Sequence, residues 1–159
     1  MSMSHDGRVQ AYSAEVDGQS FILSTDYGQT FHPASGLPRN GFYTQVAVSG
    51  NGRHLVVAYA GTTVNESDFS MYLSDNSGTT WRTLPAPVNA KWTNVFLDED
   101  ASRIAATNRS GTLVTLWTSV DGGITWEEKS HQTSSSAFNP SLAGAADGSK
   151  LAYTSVGNN

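Results

Sequence analysis

The 159-residue chain contains no cysteine, which excludes disulfides, thiolate metal sites and a cysteine nucleophile. Nine Lys and Arg stand against fourteen Asp and Glu, a net charge of −5 with no basic cluster. That makes nucleic acid and anionic membrane poor partners. No apolar run approaches the ~18 residues of a membrane-spanning helix. The opening Met1-Ser2-Met3-Ser4-His5-Asp6-Gly7 lacks the charged-then-apolar order of a signal peptide. A cysteine-free chain suits the cytosol and the exterior equally, so compartment stays open. Sustained 3.6-residue apolar periodicity is missing, and Gly or Pro interrupts most windows, which argues against helices. The four histidines, His5, His32, His54 and His131, show no metal spacing. No nucleophile elbow or phosphate loop is present, so no cofactor or metal is expected.

What is present is repetition. Ser119-Val120-Asp121-Gly122-Gly123-Ile124-Thr125-Trp126 has the pattern S-x-D-x-G-x-T-aromatic. It occurs also as Ser24-Thr25-Asp26-Tyr27-Gly28-Gln29-Thr30-Phe31 and, with Asn in the acidic place, as Ser74-Asp75-Asn76-Ser77-Gly78-Thr79-Thr80-Trp81. The copies begin 50 and then 45 residues apart. An Asp or Asn side chain accepts hydrogen bonds from nearby backbone N–H groups and builds a tight turn. The glycine two places later takes positive φ without a Cβ clash, and Ser and Thr hydroxyls satisfy further backbone groups. The aromatic then starts a strand and buries a large apolar face. A staple of this kind explains recurrence with one aromatic anchor better than a ligand or calcium loop does.

A second signal lies about 20 residues before each octet: Asp6-Gly7-Arg8, Asn51-Gly52-Arg53, Asp100-Ala101-Ser102 and, near the end, Asp147-Gly148-Ser149. Asp/Asn-Gly turns between apolar runs signal hairpins. One full unit reads as strands Trp92–Leu97, Arg103–Thr107, Leu113–Ser119 and Ile124–Lys129. Four antiparallel strands in about 48 residues is the period of a propeller blade. The fold class is all-β. The single domain, 1–159, divides into units of approximately 3–35, 42–85 and 92–130, with a partial unit at 138–156.

With three octets in place, the chain resembles the Asp-box, or bacterial-neuraminidase-repeat, β-propeller superfamily of sialidase-like folds. "VAVSGNGRHLVVAYA" and "TLVTLWTSVDGGITW" resemble the body of its blades. The resemblance implies blades of four antiparallel strands, with the octet joining strands 3 and 4 on a rim away from the ligand face. The chain opens on strand 2, without a full strand 1 ahead of Asp6, and closes on a spare strand 1 (138–143) and strand 2 (150–156). That is about three blades, whereas closed propellers use about four to eight. Closure is therefore expected from a head-to-tail homodimer of six blades with strand exchange at the termini; the other option is a piece of a longer propeller.

The resemblance places ligands on the face opposite the octets. There the sequence offers Arg39, Tyr43, Glu66, Lys91, Trp92 and Arg109, although Tyr43 and Trp92 occupy one repeated position and are read chiefly as packing between blades. The family's Arg-Ile-Pro motif is missing, and Leu37-Pro38-Arg39-Asn40 does not match it. Asp98-Glu99-Asp100 lies at a strand 1–2 turn on the wrong face and is read as a solvated turn. The expected role is a non-catalytic binding or interaction scaffold, with glycans or a protein as candidate partners. The alternative is a fragment of a sialidase- or xyloglucanase-like glycoside hydrolase.

Overall fold

The computed structural model describes residues 1–16, 19–38, 42–61, 69–87, 91–110, 113–133 and 141–154. Among these residues, short runs of β-branched and aromatic residues between glycine-bearing turns form fourteen strands. The first sheet is β1 (Ser2–Met3), β2 (Gln10–Val16), β3 (Gln19–Ser24) and β4 (His32–Pro33). The second is β5 (Tyr43–Val48), β6 (Leu55–Tyr59), β7 (Ser70–Ser74) and β8 (Arg82–Leu84). The third is β9 (Lys91–Leu97), β10 (Ile104–Ser110), β11 (Leu113–Ser119) and β12 (Glu127–Thr133). A hairpin of β13 (Ser141–Gly144) and β14 (Leu151–Thr154) follows. Every sheet runs in chain order, and neighbouring strands pair antiparallel.

The sheets stack face to face. Val9, Ala11 and Phe21 of the first sheet side pack with Tyr43, Leu55, Val57 and Tyr59 of the second. The other face of the second sheet packs Val56, Ala58, Met71, Leu73 and Leu84 against Trp92, Val95, Leu97, Ile104 and Ala106 of the third. The middle sheet is thus covered twice, which is why β6 reads as the unbroken apolar string Leu55-Val56-Val57-Ala58-Tyr59, with every residue buried. Aromatic rings tie the first interface: Phe21 lies edge-on to Trp81 at 5.7 Å and 5.6 Å from Tyr43.

One edge of the stack is held by backbone. The His5 amide donates to the Gly50 carbonyl (2.7 Å), and the Glu99 amide donates to the Ala146 carbonyl (2.9 Å). Between them, the Glu99 carbonyl accepts from Asn51 Nδ2 (3.3 Å) and lies 3.0 Å from His54 Nδ1. His5, Gly50, Glu99 and Ala146 are the second residues of successive strand 1–2 turns, so these turns link each sheet to the next.

Three expectations change. The first sheet has an inner strand, two residues long, with Ser2 and Met3 opposite Ala11 and Gln10. The fourth strand of the third sheet begins at Glu127 rather than Ile124, because the Ile124 and Thr125 amides bond to the Asp121 carboxylate rather than to a neighbouring strand. The first strand of the last unit is Ser141–Gly144; residues 138–140 and 155–156 lie outside the described residues.

Two octet glycines, Gly78 and Gly123, sit where one sheet comes close to the next. A Cβ at Gly78 would lie 2.4 Å from Leu23 Cδ2 of the preceding sheet, and one at Gly123 would lie 2.9 Å from Leu84 Cδ2. Gly7 has a similar φ, +73° against +83° at Gly78, but nothing within 4 Å of such a Cβ. Gly7→Ala should therefore show only the left-handed strain of about 1–2 kcal/mol. Gly78→Ala should add an overpacking cost of roughly 1–3 kcal/mol. Denaturant midpoints of the two variants read the difference; equal losses would remove the close approach as the reason for the glycine.

Candidate functional site

The octets are built the same way three times. Ser24 Oγ donates to Asp26 Oδ1 (2.7 Å) and accepts from the Gly28 amide (3.0 Å). Asp26 in turn takes the Thr30 amide (2.9 Å) on Oδ1 and the Thr30 hydroxyl (2.6 Å) on Oδ2. Ser119, Asp121, Gly123 and Thr125 repeat these bonds at 2.7, 2.9, 2.9 and 2.5 Å. In the middle copy Ser74 Oγ accepts from Gly78, and Asn76 Oδ1 takes the Ser74 hydroxyl and the Thr80 amide. There one bond reverses: Asn76 Nδ2 donates to Thr80 Oγ1 (2.8 Å). Asn therefore keeps the turn with the proton on the other partner.

Two consecutive residues, not one, take positive φ in each octet: Tyr27 and Gly28, Ser77 and Gly78, Gly122 and Gly123. The first of each pair donates its amide to the strand 1–2 turn of its own sheet, at the carbonyls of Arg8, Arg53 and Ser102 (2.8–3.1 Å). The Trp81 and Trp126 indoles donate back to the Gly78 and Gly123 carbonyls (3.1 and 3.2 Å) and pack against the core. Phe31 departs from this pattern. It is 40% exposed, because no sheet precedes the first one among the described residues.

The strand 1–2 turns form a second staple. Ser4 donates to Asp6 and accepts the Val9 amide, while Asp6 takes the Arg8 amide; Ser49 and Asn51 do the same for His54 and Arg53. In the third turn Asp98 stands in the serine's place. Its carboxylate takes the Arg103 amide (3.0 Å) and the Ser102 hydroxyl (3.1 Å), and the residue is buried. Asp98 is therefore a structural acid, not part of a solvated turn, and the signal was its alignment with Ser4 and Ser49.

On the opposite edge, Tyr43 and Trp92 are 5% and 1% exposed and belong to the two cores. They are not on an open face. The Tyr43 hydroxyl donates to the Pro38 carbonyl (2.8 Å), and burial, then the neighbouring Tyr72 and Tyr59, push this phenol above the ordinary tyrosine range. Lys91 and Arg109 come together as directly opposed residues of β9 and β10. The buried Trp92 follows Lys91 and carries an indole nitrogen with no hydrogen-bond partner. Arg39 and Glu66 lie outside the described residues. No group of three or more metal-ligating side chains occurs among the described residues.

Fold and octets together define an all-β protein of stacked four-stranded Asp-box sheets. Residues 117–128 match the BNR/Asp-box repeat. The fold is similar to part of the GH74 xyloglucanase from Xanthomonas campestris, with a TM-score of 0.58 and 20% identity over 76% of this chain and 18% of that one. It is also similar to the GH74 enzyme of Niastella koreensis, with a TM-score of 0.62 and 18% identity over 94% of this chain and 24% of that one. An ancestral GH74 enzyme gives a TM-score of 0.53 and 18% identity over 80% of this chain and 18% of that one. The chain thus spans about a fifth of the length of these enzymes, all of them propeller folds. No curated protein matches it in sequence.

The octet carboxylates are set for acid sensitivity. Asp26 and Asp121 are held at about 2, below the ordinary 3.8, first by the Thr30 and Thr125 hydroxyls, then by backbone amides and the octet serines. Because the folded values are depressed, this stabilisation is complete above about pH 4 and is lost as pH falls towards 2. Asp26→Asn with Asp121→Asn should keep the fold, as Asn76 does, and flatten the part of the acid limb these two acids cause. Asn76→Asp should steepen it. Thermal melts from pH 5 to 2 check both; an unchanged acid limb in both variants would show that the octets do not carry it.

Proposed function

We propose that the chain is a non-catalytic binding or interaction scaffold of Asp-box propeller blades, with carbohydrate as the favoured ligand class. The observation that carries this reading is the use of its acids. Asp6, Asp26, Asp98, Asp100, Asp121 and Asp147 all accept hydrogen bonds inside turns. For Asp6, Asp26, Asp100, Asp121 and Asp147 that bonding lowers the pKa. Glycoside hydrolysis needs one acid raised so that it can deliver a proton to the leaving oxygen. Carboxylates committed to turns are poor candidates for that step. The ligand surface in this reading is the edge opposite the octets, where Lys91 and Arg109 stand side by side.

The similarity of fold to GH74 enzymes favours a second reading, that the chain is a portion of a glycoside hydrolase acting on xyloglucan or sialosides. A glycan array with the unaltered chain, Lys91→Ala and Arg109→Ala separates the two. The scaffold reading expects saturable binding, reduced at least tenfold by the substitutions, and no turnover of xyloglucan oligosaccharide or a fluorogenic sialoside. Turnover that follows the protein through purification would overturn it.

A further inference from the structure

The turns joining strands 1 and 2 form a ridge along one edge of the stack, and most of their acids are committed to the turns themselves. Asp6 takes the Ser4 hydroxyl and the Arg8 amide. Asp98 takes the Ser102 hydroxyl and the Arg103 amide, and Asp100 takes the Ser102 amide. The hairpin turn adds Asp147, on the Ser149 amide, and Lys150. Glu99 is different. Its amide and carbonyl hold the neighbouring turns, but its side-chain Oε2 is buried without a hydrogen-bond partner. A carboxylate oxygen removed from water and left unpaired is costly, and such a group in a folded chain calls for a reason.

That reason lies across Gly50. A Cβ built on Gly50 would meet His5 Nδ1 at 2.5 Å and Glu99 Oε2 at 2.7 Å. One point in space is thus flanked by an imidazole from the first sheet's turn and a carboxylate from the third's, above the one residue of the middle turn that has no side chain to part them. Gly50, unlike Gly52, does not take positive φ, so what this glycine supplies is room. His5 is exposed and Glu99 half-buried, which leaves the imidazole open to proton exchange with solvent. The other cations and histidine of the ridge have other neighbours. Arg8 acts on Asp6, Arg53 Nε donates to the Asp75 carbonyl, and Arg103 lies against Gly148. His54 Nδ1 lies 3.0 Å from the Glu99 carbonyl.

We propose that His5 and Glu99 form a proton-operated clamp across the second sheet. Protonated, the imidazole carries a positive charge and a donor on each nitrogen. It then pairs with the Glu99 carboxylate over Gly50 and ties the first sheet's turn directly to the third's. Neutral, it loses the charge and the tie, and the ridge falls back on the backbone bonds from His5 to Gly50 and from Glu99 to Ala146. Histidine changes charge between about pH 5 and 8. A tie that needs the charged form contributes at the lower end of that range and is lost as pH rises. The octet carboxylates act only below about pH 4, so the two effects do not overlap. The clamp does not depend on the ligand proposal.

Thermal melts at about pH 5.5 and about pH 8 test it. The unaltered chain should melt about 1–3 °C higher at the lower pH. His5→Gln and Glu99→Gln should each remove that difference, and the double variant should lose no more of it than either alone. His5→Lys, which puts a permanent cation at the same point, should carry the higher melting temperature to the upper pH, and only while Glu99 is present. His54→Gln should keep the difference. Equal melting of the unaltered chain at both pH values, or a difference that survives His5→Gln or Glu99→Gln, would overturn the inference. So would a difference that disappears with His54→Gln, or a gain from His5→Lys that persists without Glu99.

Discussion

Each sheet depends on one arrangement: a serine hydroxyl and a carboxylate or amide that close a turn upon themselves. In the octet beginning at Ser119, the hydroxyl faces the Asp121 carboxylate on one side and the Gly123 amide on the other. The same device, shortened, closes the turn at Ser4 and Asp6. A turn whose amides are satisfied internally needs no help from its surroundings, so it can stand at a solvent edge and still aim an aromatic ring inward. The octet amides then bond to the strand 1–2 turn of the same sheet, joining the two staples.

That economy explains why the most recognisable residues of the chain are not its candidate ligand residues. Hydrogen-bonding capacity spent on a turn is not available to substrate, and the low values of Asp26 and Asp121 express it. The proposed ligand surface is therefore the opposite edge. There the chain brings together two cations, Lys91 and Arg109, beside a buried indole. The likeness to GH74 enzymes concerns the fold and about a fifth of their length.

Much of this was legible in the residues. The octets, the Asp-Gly turns and the four-strand unit follow from local chemistry, and Leu113–Ser119 appears as a strand with the bounds expected of it. Less legible was where the fourth strand starts, because Asp121 captures two amides that alternation alone assigns to a strand. Asp98 was misread for a related reason: the aspartate does the work that serine does in the other turns, and a run of three acids looks solvated. Tyr43 and Trp92 stand among the ligand-face candidates yet fit packing between blades, and the neighbouring sheet is what makes them core.

The amino-acid order alone determined the repeat, the turn chemistry and the all-β class, since each rests on bonds between residues no more than about five apart. The tertiary structure decided which faces are covered. Phe31 and Trp126 hold the same place in two copies of the octet, yet one is exposed and the other packs on a core. The difference lies in whether a sheet stands in front of it, and burial is a property of that neighbour rather than of the residue.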